Sequence, residues 1–88
     1  MMQVTPAENV LVRKMGGEAV LLNMKTETYY MLNSTGIRMW EVLSAGTPFE
    51  EALAMLAAEY NVEPDVIRDD LNEFIQSLHA AKLIEISE

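Results

Sequence analysis

Residues 19–33 read AVLLNMKTETYYMLN, from Ala19 to Asn33, and hold two apolar runs separated by a short polar one. Ala19-Val20-Leu21-Leu22-Asn23-Met24 and Thr28-Tyr29-Tyr30-Met31-Leu32 are rich in the β-branched, aromatic and aliphatic side chains that suit a pleated surface. Lys25-Thr26-Glu27 between them is short enough to make the two strands antiparallel neighbours. Upstream, Val10-Leu11-Val12 is a third β run, and Met15-Gly16-Gly17 follows it where a tight hairpin needs positive φ. Residues 9–32 therefore predict a three-stranded antiparallel meander.

From Asn33 onward the apolar period lengthens from two toward that of a helix. Asn33 or Ser34 caps a first helix with Ile37, Trp40 and Leu43 on one side, and Ala45-Gly46 ends it with a residue suited to the left-handed conformation. Thr47-Pro48-Phe49-Glu50 reads as a capping box with Thr at N-cap, Pro at N1 and Glu at N3. The second helix then carries Phe49, Leu53, Leu56 and Tyr60 and stops at Asn61. Glu63-Pro64-Asp65 opens a third helix, whose stripe of Ile67, Leu71, Phe74, Ile75, Leu78 and Ala81 is wide enough to pack on both helices and sheet. Leu83-Ile84-Glu85-Ile86 is an apolar tail that extends the packing or adds a small strand.

Strands first and helices after make an α+β fold: a three-stranded antiparallel β-meander followed by three α-helices, in a winged helix-turn-helix-like order. At 88 residues, half of them hydrophobic, the chain has room for one core, so residues 1–88 are expected to form a single domain. Its formal charge of −8, with six Lys and Arg, disfavours nucleic acid, because neutralised phosphates supply most of that affinity. The third helix, where a DNA reader would carry bases, sets Glu63, Asp65, Asp69, Asp70 and Glu73 against Arg68 alone. The N-terminus lacks a signal-peptide pattern and no stretch is long enough to span a bilayer, so a cytoplasmic protein without a membrane partner is expected. The absence of cysteine fits a reducing compartment.

Catalytic chemistry finds little purchase. There is no cysteine, and the one histidine, His79, lies near a helix C-terminus where a cation favours the dipole, so it reads as a solvated helix-end residue. Gly16-Gly17 sits between strands and is a turn, not a phosphate cradle. Asp69, Asp70 and Glu73 are oxygen donors that suit a hard cation, but successive helical positions diverge by about 100°, which leaves a solvated acidic face as the simpler reading. No enzyme activity, metal or cofactor is expected. Met39 and Met55 are expected to fill gaps between helices, and Trp40 to lie in the core. Tyr29 and Tyr30 alternate faces, so at most one is internal and the other is a candidate interface residue.

The segments Val20-Leu21-Leu22-Asn23, Tyr29-Tyr30-Met31-Leu32-Asn33, Gly36, Met39-Trp40-Glu41-Val42-Leu43 and Gly46 follow one another in an order that resembles the PqqD-like leader-recognition domains of ribosomal peptide-modification pathways. Phe49-Glu50-Glu51-Ala52-Leu53, the spacing of Tyr60 to Val62, and Phe74 through Leu78 to Leu83-Ile84 are similar too, so the resemblance covers roughly residues 8–86. Within that family the stand-alone recognition proteins of lasso-peptide clusters look closest, with the PqqD type that serves a radical-enzyme pathway as near neighbour. The resemblance implies a precursor's leader peptide pairing with the third strand and laying side chains into a groove beside the third helix. It also implies delivery to a cysteine-protease-like leader peptidase and a cyclase.

On that implication the peptide meets Thr28, Tyr29, Tyr30, Met31 and Leu32 on the strand and Val66, Ile67, Asp70, Leu71 and Phe74 on the helix, with Asp69, Asp70 and Glu73 as an acidic rim that favours a basic leader. The competing reading makes Leu32, Leu71 and Phe74 plain core. About five backbone hydrogen bonds at about 1 kcal/mol each would barely offset an association cost of roughly 4 to 15 kcal/mol, so buried anchor side chains are required. A different class of function, a protein-contacting winged-helix module of a transcriptional regulator, stays open at this point, and a small enzyme subunit is the third.

Overall fold

A computed structural model describes residues 2–87. In chain order the elements are β1 (Gln3–Pro6), β2 (Val10–Met15), β3 (Glu18–Asn23), β4 (Thr28–Leu32), α1 (Ser34–Ser44), α2 (Phe49–Tyr60), α3 (Pro64–Ala80) and β5 (Ile84–Ser87). The fold is α+β, and β2, β3 and β4 form the expected antiparallel meander in that spatial order. The first strand runs on to Met15, so only Gly16 and Gly17 are left in the loop. Of these, Gly16 alone has positive φ, at 64°, the pattern expected of a type II′ turn. Met24 falls into the turn after β3 and not into the strand.

Two strands were not foreseen as a pair. Gln3–Pro6 and the apolar tail form a separate antiparallel ribbon, with Val4 opposite Ile86. Val4 and Ile84 are buried, which gives each of these short strands an anchor in the core. The ribbon also changes how α2 begins. The N–H of Phe49 donates to the carbonyl of Met2 at 2.9 Å, and Glu50 turns away to Arg68. The Glu50 half of the expected Thr47–Glu50 capping box is thus committed elsewhere; Pro48 is the N-cap and no side chain caps the helix.

Both ends of α1 and the end of α2 follow the residues that predict them. Asn33 caps α1 by accepting the Gly36 N–H on its side-chain oxygen at 2.8 Å, and Gly46, at φ 86°, follows its end. Asn61 closes α2 in the left-handed region at φ 55°. The end of α3 has no glycine to announce it: Lys82 takes the left-handed conformation at φ 61°, and the Leu83 N–H returns to the Leu78 carbonyl.

The core lies between the inner face of the meander and the three helices. Leu21, Leu43, Leu53, Leu56, Leu71, Ile75, Leu78 and Leu83 are fully buried, each contributing about 1.5 to 3 kcal/mol relative to exposure. Trp40 and Met39 are core as expected, whereas Met55 and Tyr60 are exposed on α2. Among the described residues no helix covers the opposite face of the meander: Leu11, Met15, Tyr29 and Met31 are exposed there, beside half-buried Val20 and Leu22. Among the described residues no helix is long and apolar enough to cross a membrane.

Candidate functional site at the open sheet edge

The outermost strand on the helical side of the meander is β4, which pairs with β3 alone. Which of its backbone groups are free follows from register. Met15 and Glu18 close the two-residue loop, and the Met24 N–H donates to the Asn9 carbonyl, so Glu18, Val20 and Leu22 of β3 direct their backbone groups to β2. Ala19, Leu21 and Asn23 therefore face β4, where their partners are Leu32, Tyr30 and Thr28. Tyr29 and Met31 are left with N–H and C=O pointing out of the sheet. Side chains alternate with the same period: Tyr29 (66% exposed) and Met31 (49%) stand on the outer face, while Thr28, Tyr30 and Leu32 turn toward the helices.

Beside this edge lies an open groove of about 340 Å³. Tyr30, Met31 and Leu32 form its sheet wall, and the start of α1 adds Asn33, Thr35, Gly36 and Met39. Asp70, Glu73, Phe74 and Ser77 form the wall on α3. At the floor the Tyr30 and Phe74 rings meet edge to face, with centroids 6.2 Å apart and planes at 80°. Gly36 keeps the α1 side low, because a Cβ there would stand 3.2 Å from Leu32 Cδ2.

Of the residues singled out from sequence, Tyr30, Met31, Leu32, Asp70, Glu73 and Phe74 line the groove. Tyr29 lies on the free edge but on the outer face, and Thr28 is tied to the end of α3. Leu71 has no exposed surface and is core, so it offers a peptide nothing to touch. Ile67 is half-buried against the core, and Val66 and Asp69 are exposed on α3 outside the groove. Ser77 was missed although the helical period that links Asp70, Glu73 and Phe74 continues to it. Asn33, Thr35, Gly36 and Met39 were missed as groove residues because nothing local in the sequence says that α1 starts against the open end of β4.

The charge of the groove is one-sided. Arg68, the one Lys or Arg on α3, is drawn away to Glu50 (2.9 Å) and Asp65 (3.7 Å) and also lies 6.0 Å from the Phe49 ring centroid. The hydrogen bond from Arg68 holds the Glu50 carboxyl below its usual range and raises the Arg68 guanidinium above its own. Arg38 does the same to Glu59 across α1 and α2. Among the described residues Asp69, Asp70 and Glu73 have no ion-pair partner, and no group of three or more His, Cys, Asp or Glu could hold a metal ion.

An unpaired strand edge flanked by a groove with an aromatic floor defines a small α+β domain built to meet an extended chain. The chain belongs to the PqqD family, whose model, described as coenzyme PQQ synthesis protein D (PqqD), matches residues 18–84. Among solved structures it is similar to TbiB1 in complex with the TbiA(beta) leader peptide, at 32% identity and a TM-score of 0.83, over 92% of this chain and 94% of that one. A lasso peptide synthetase B1 complexed with its leader peptide shares the fold, at 22% identity and a TM-score of 0.83, over 94% and 98% of the two chains. No curated protein matches the chain.

Proposed function

We propose that this protein binds the leader segment of a ribosomally made precursor peptide as an added strand on β4, and that it presents the peptide to separate enzymes of a lasso-peptide pathway. The observation that carries this reading is the outward N–H and C=O of Tyr29 and Met31 beside the groove between β4 and α3. The relative that is 32% identical over nearly the whole of both chains is a protein in complex with a leader peptide, which supports leader binding, and the lasso peptide synthetase B1 that shares the fold supports the lasso pathway. The role is non-catalytic and cytoplasmic, where a ribosomal product is made, and residues 1–88 act as one recognition domain.

The division of labour on the strand follows the alternation of its faces. Backbone groups of Tyr29 and Met31 hold the peptide irrespective of its sequence, and the groove reads every second side chain. An apolar anchor against Tyr30, Leu32 and Phe74 supplies affinity at about 1.5 to 3 kcal/mol. Asp70 and Glu73, with Asp69 further out, favour a peptide carrying Lys or Arg, and exposed Val66 offers apolar contact beyond the groove. The exposed apolar face of the meander is of the kind that marks a protein contact, which supports delivery to a cysteine-protease-like leader peptidase and a cyclase.

The test is titration with a fluorescein-labelled TbiA(beta) leader peptide, followed by hydrogen exchange of the complex. Saturable binding that protects the Tyr29 and Met31 amides is expected. Binding that leaves both amides exchanging as in the free protein would sink strand addition at β4.

A further inference from the structure

Asn23, at the end of β3, is the one buried polar residue among the described residues, at 5% exposure. Its Oδ1 accepts from the N–H groups of Lys25 (2.9 Å) and Thr26 (3.1 Å), and its Nδ2 donates to the Lys82 carbonyl at 2.6 Å. Further along the chain, Thr28 Oγ1 donates to the Ala81 carbonyl, also at 2.6 Å. Thr26 Oγ1 lies 2.7 Å from Thr28 Oγ1. Because the single Thr28 hydroxyl proton goes to Ala81, Thr26 is the donor of that third bond. Ala81 and Lys82 lie just past the last residue of α3, where helical carbonyls run out of partners. Two side chains from the β3–β4 segment thus cap the helix that forms the far wall of the groove.

We infer that Asn23 and Thr28 are positioning residues, which fix the spacing of β4 and α3 so that the groove is shaped before a peptide arrives. The inference rests on the peptide-binding reading and deepens it. Among the described residues no other hydrogen bond joins β4 to α3 or to the residues that end it. What else holds them together is apolar, including the Tyr30–Phe74 contact, and apolar contact has no preferred direction. The hydrogen bonds do have one, and they sit at the end of β4 remote from the open groove. An added strand takes a place about 4.8 Å beyond β4, and its anchors must fit between that position and α3. A wall that has to be ordered on binding costs affinity that a preset wall keeps.

Thr28→Val keeps the β-branched shape and removes the hydroxyl, whereas Thr28→Ser keeps the hydroxyl. The readouts are affinity for the labelled TbiA(beta) leader peptide and, in the free protein, the NOE between the Tyr30 and Phe74 rings. Thr28→Val is expected to weaken the peptide about tenfold, mainly through faster dissociation, and to reduce the NOE, while Thr28→Ser stays within about twofold of wild type. A folded Thr28→Val with wild-type affinity and an unchanged NOE overturns the inference. Failure of the wild type to take the peptide counts against the peptide reading instead, and the NOE then decides alone: reduced in Thr28→Val supports positioning, unchanged refutes it. If Thr28→Val does not fold, Thr28→Ala removes the same hydroxyl with a smaller side chain, and Thr28→Ser, which keeps it, remains the control. Thr28→Ala should weaken the peptide about tenfold relative to Thr28→Ser, and no change would be equally fatal.

Discussion

Replacing Met31 and Tyr30 by proline, one at a time, separates the two sides of β4. Proline at Met31 removes an N–H that points out of the sheet and leaves the β3 ladder whole, a position where edge strands tolerate proline. Proline at Tyr30 removes an N–H that faces Leu21 and also the ring that meets Phe74. The Met31→Pro protein should therefore fold. Its peptide loses one hydrogen bond and keeps an acceptor without a donor, at about 1 to 3 kcal/mol, or roughly 5- to 150-fold in Kd. The lower end applies if water reaches the stranded carbonyl. Met31→Ala is the control for the lost side chain. Tyr30→Pro should instead lose stability by about 3 kcal/mol or more, from a broken ladder bond and a vacated core-facing site. Fluorescence anisotropy gives the affinities and thermal melting gives the stabilities. If Met31→Pro binds like Met31→Ala, or if Tyr30→Pro melts like wild type, the register-based assignment of the free edge is wrong.

Three further outcomes test neighbouring parts of the structure. Asp70→Lys should slow association of a basic leader peptide about tenfold at low salt and by little above about 0.5 M salt; an on-rate indifferent to ionic strength would remove the acidic rim from the mechanism. Gly36→Ala adds a methyl 3.2 Å from Leu32 Cδ2. Its helix-propensity gain of about 1 kcal/mol should offset the crowding in the melting temperature, while a displaced Leu32 weakens the peptide about three- to tenfold. Unchanged affinity would show that the α1 side of the groove is not used. The Glu59 carboxyl, held low by its hydrogen bonds to Arg38, stabilises the fold above the ordinary carboxylate value and ceases to as pH falls through its lower folded value. Melting temperatures of wild type and Glu59→Gln should hence converge on acidification from about pH 6 to about pH 3, and a constant difference would count against the ion pair.

The meander and the three helices could be read from the chain because their signals are local. Alternating runs, the Gly16-Gly17 turn, Asn33 before α1 and Asn61 after α2 each act over a few residues, and the structure keeps every one. What could not be read is what depends on residues far apart in sequence. Gln3–Pro6 is too short and too polar to announce a strand, and it exists because the tail supplies its partner. The same pairing brings the Met2 carbonyl to the Phe49 N–H, a tertiary contact at a helix start that no side chain caps. The candidate site divides in the same way. The alternation of faces was visible in Thr28–Leu32 and the edge was implied by the family resemblance, but which backbone groups are free required the register with β3. On α3 the helical period pointed to Phe74, Asp70 and Glu73 and equally to Leu71, and only packing shows which of them turn away from the core.

The ribbon of β1 and β5 carries a consequence for how the domain forms. The strands of the meander, and α2 with α3, are near neighbours in the chain and can find each other early, whereas Gln3 must wait for Ser87. Closing so long a loop is entropically costly and brings its return only once the intervening elements have condensed. On the ribosome, β1 therefore emerges first and docks last. Until it docks, Val4 and Ile84 stay exposed, and Phe49 lacks the acceptor that the start of α2 uses. The contacts of longest sequence separation thus lie on the ribbon, and β4 and its groove are built from nearer neighbours that do not depend on them.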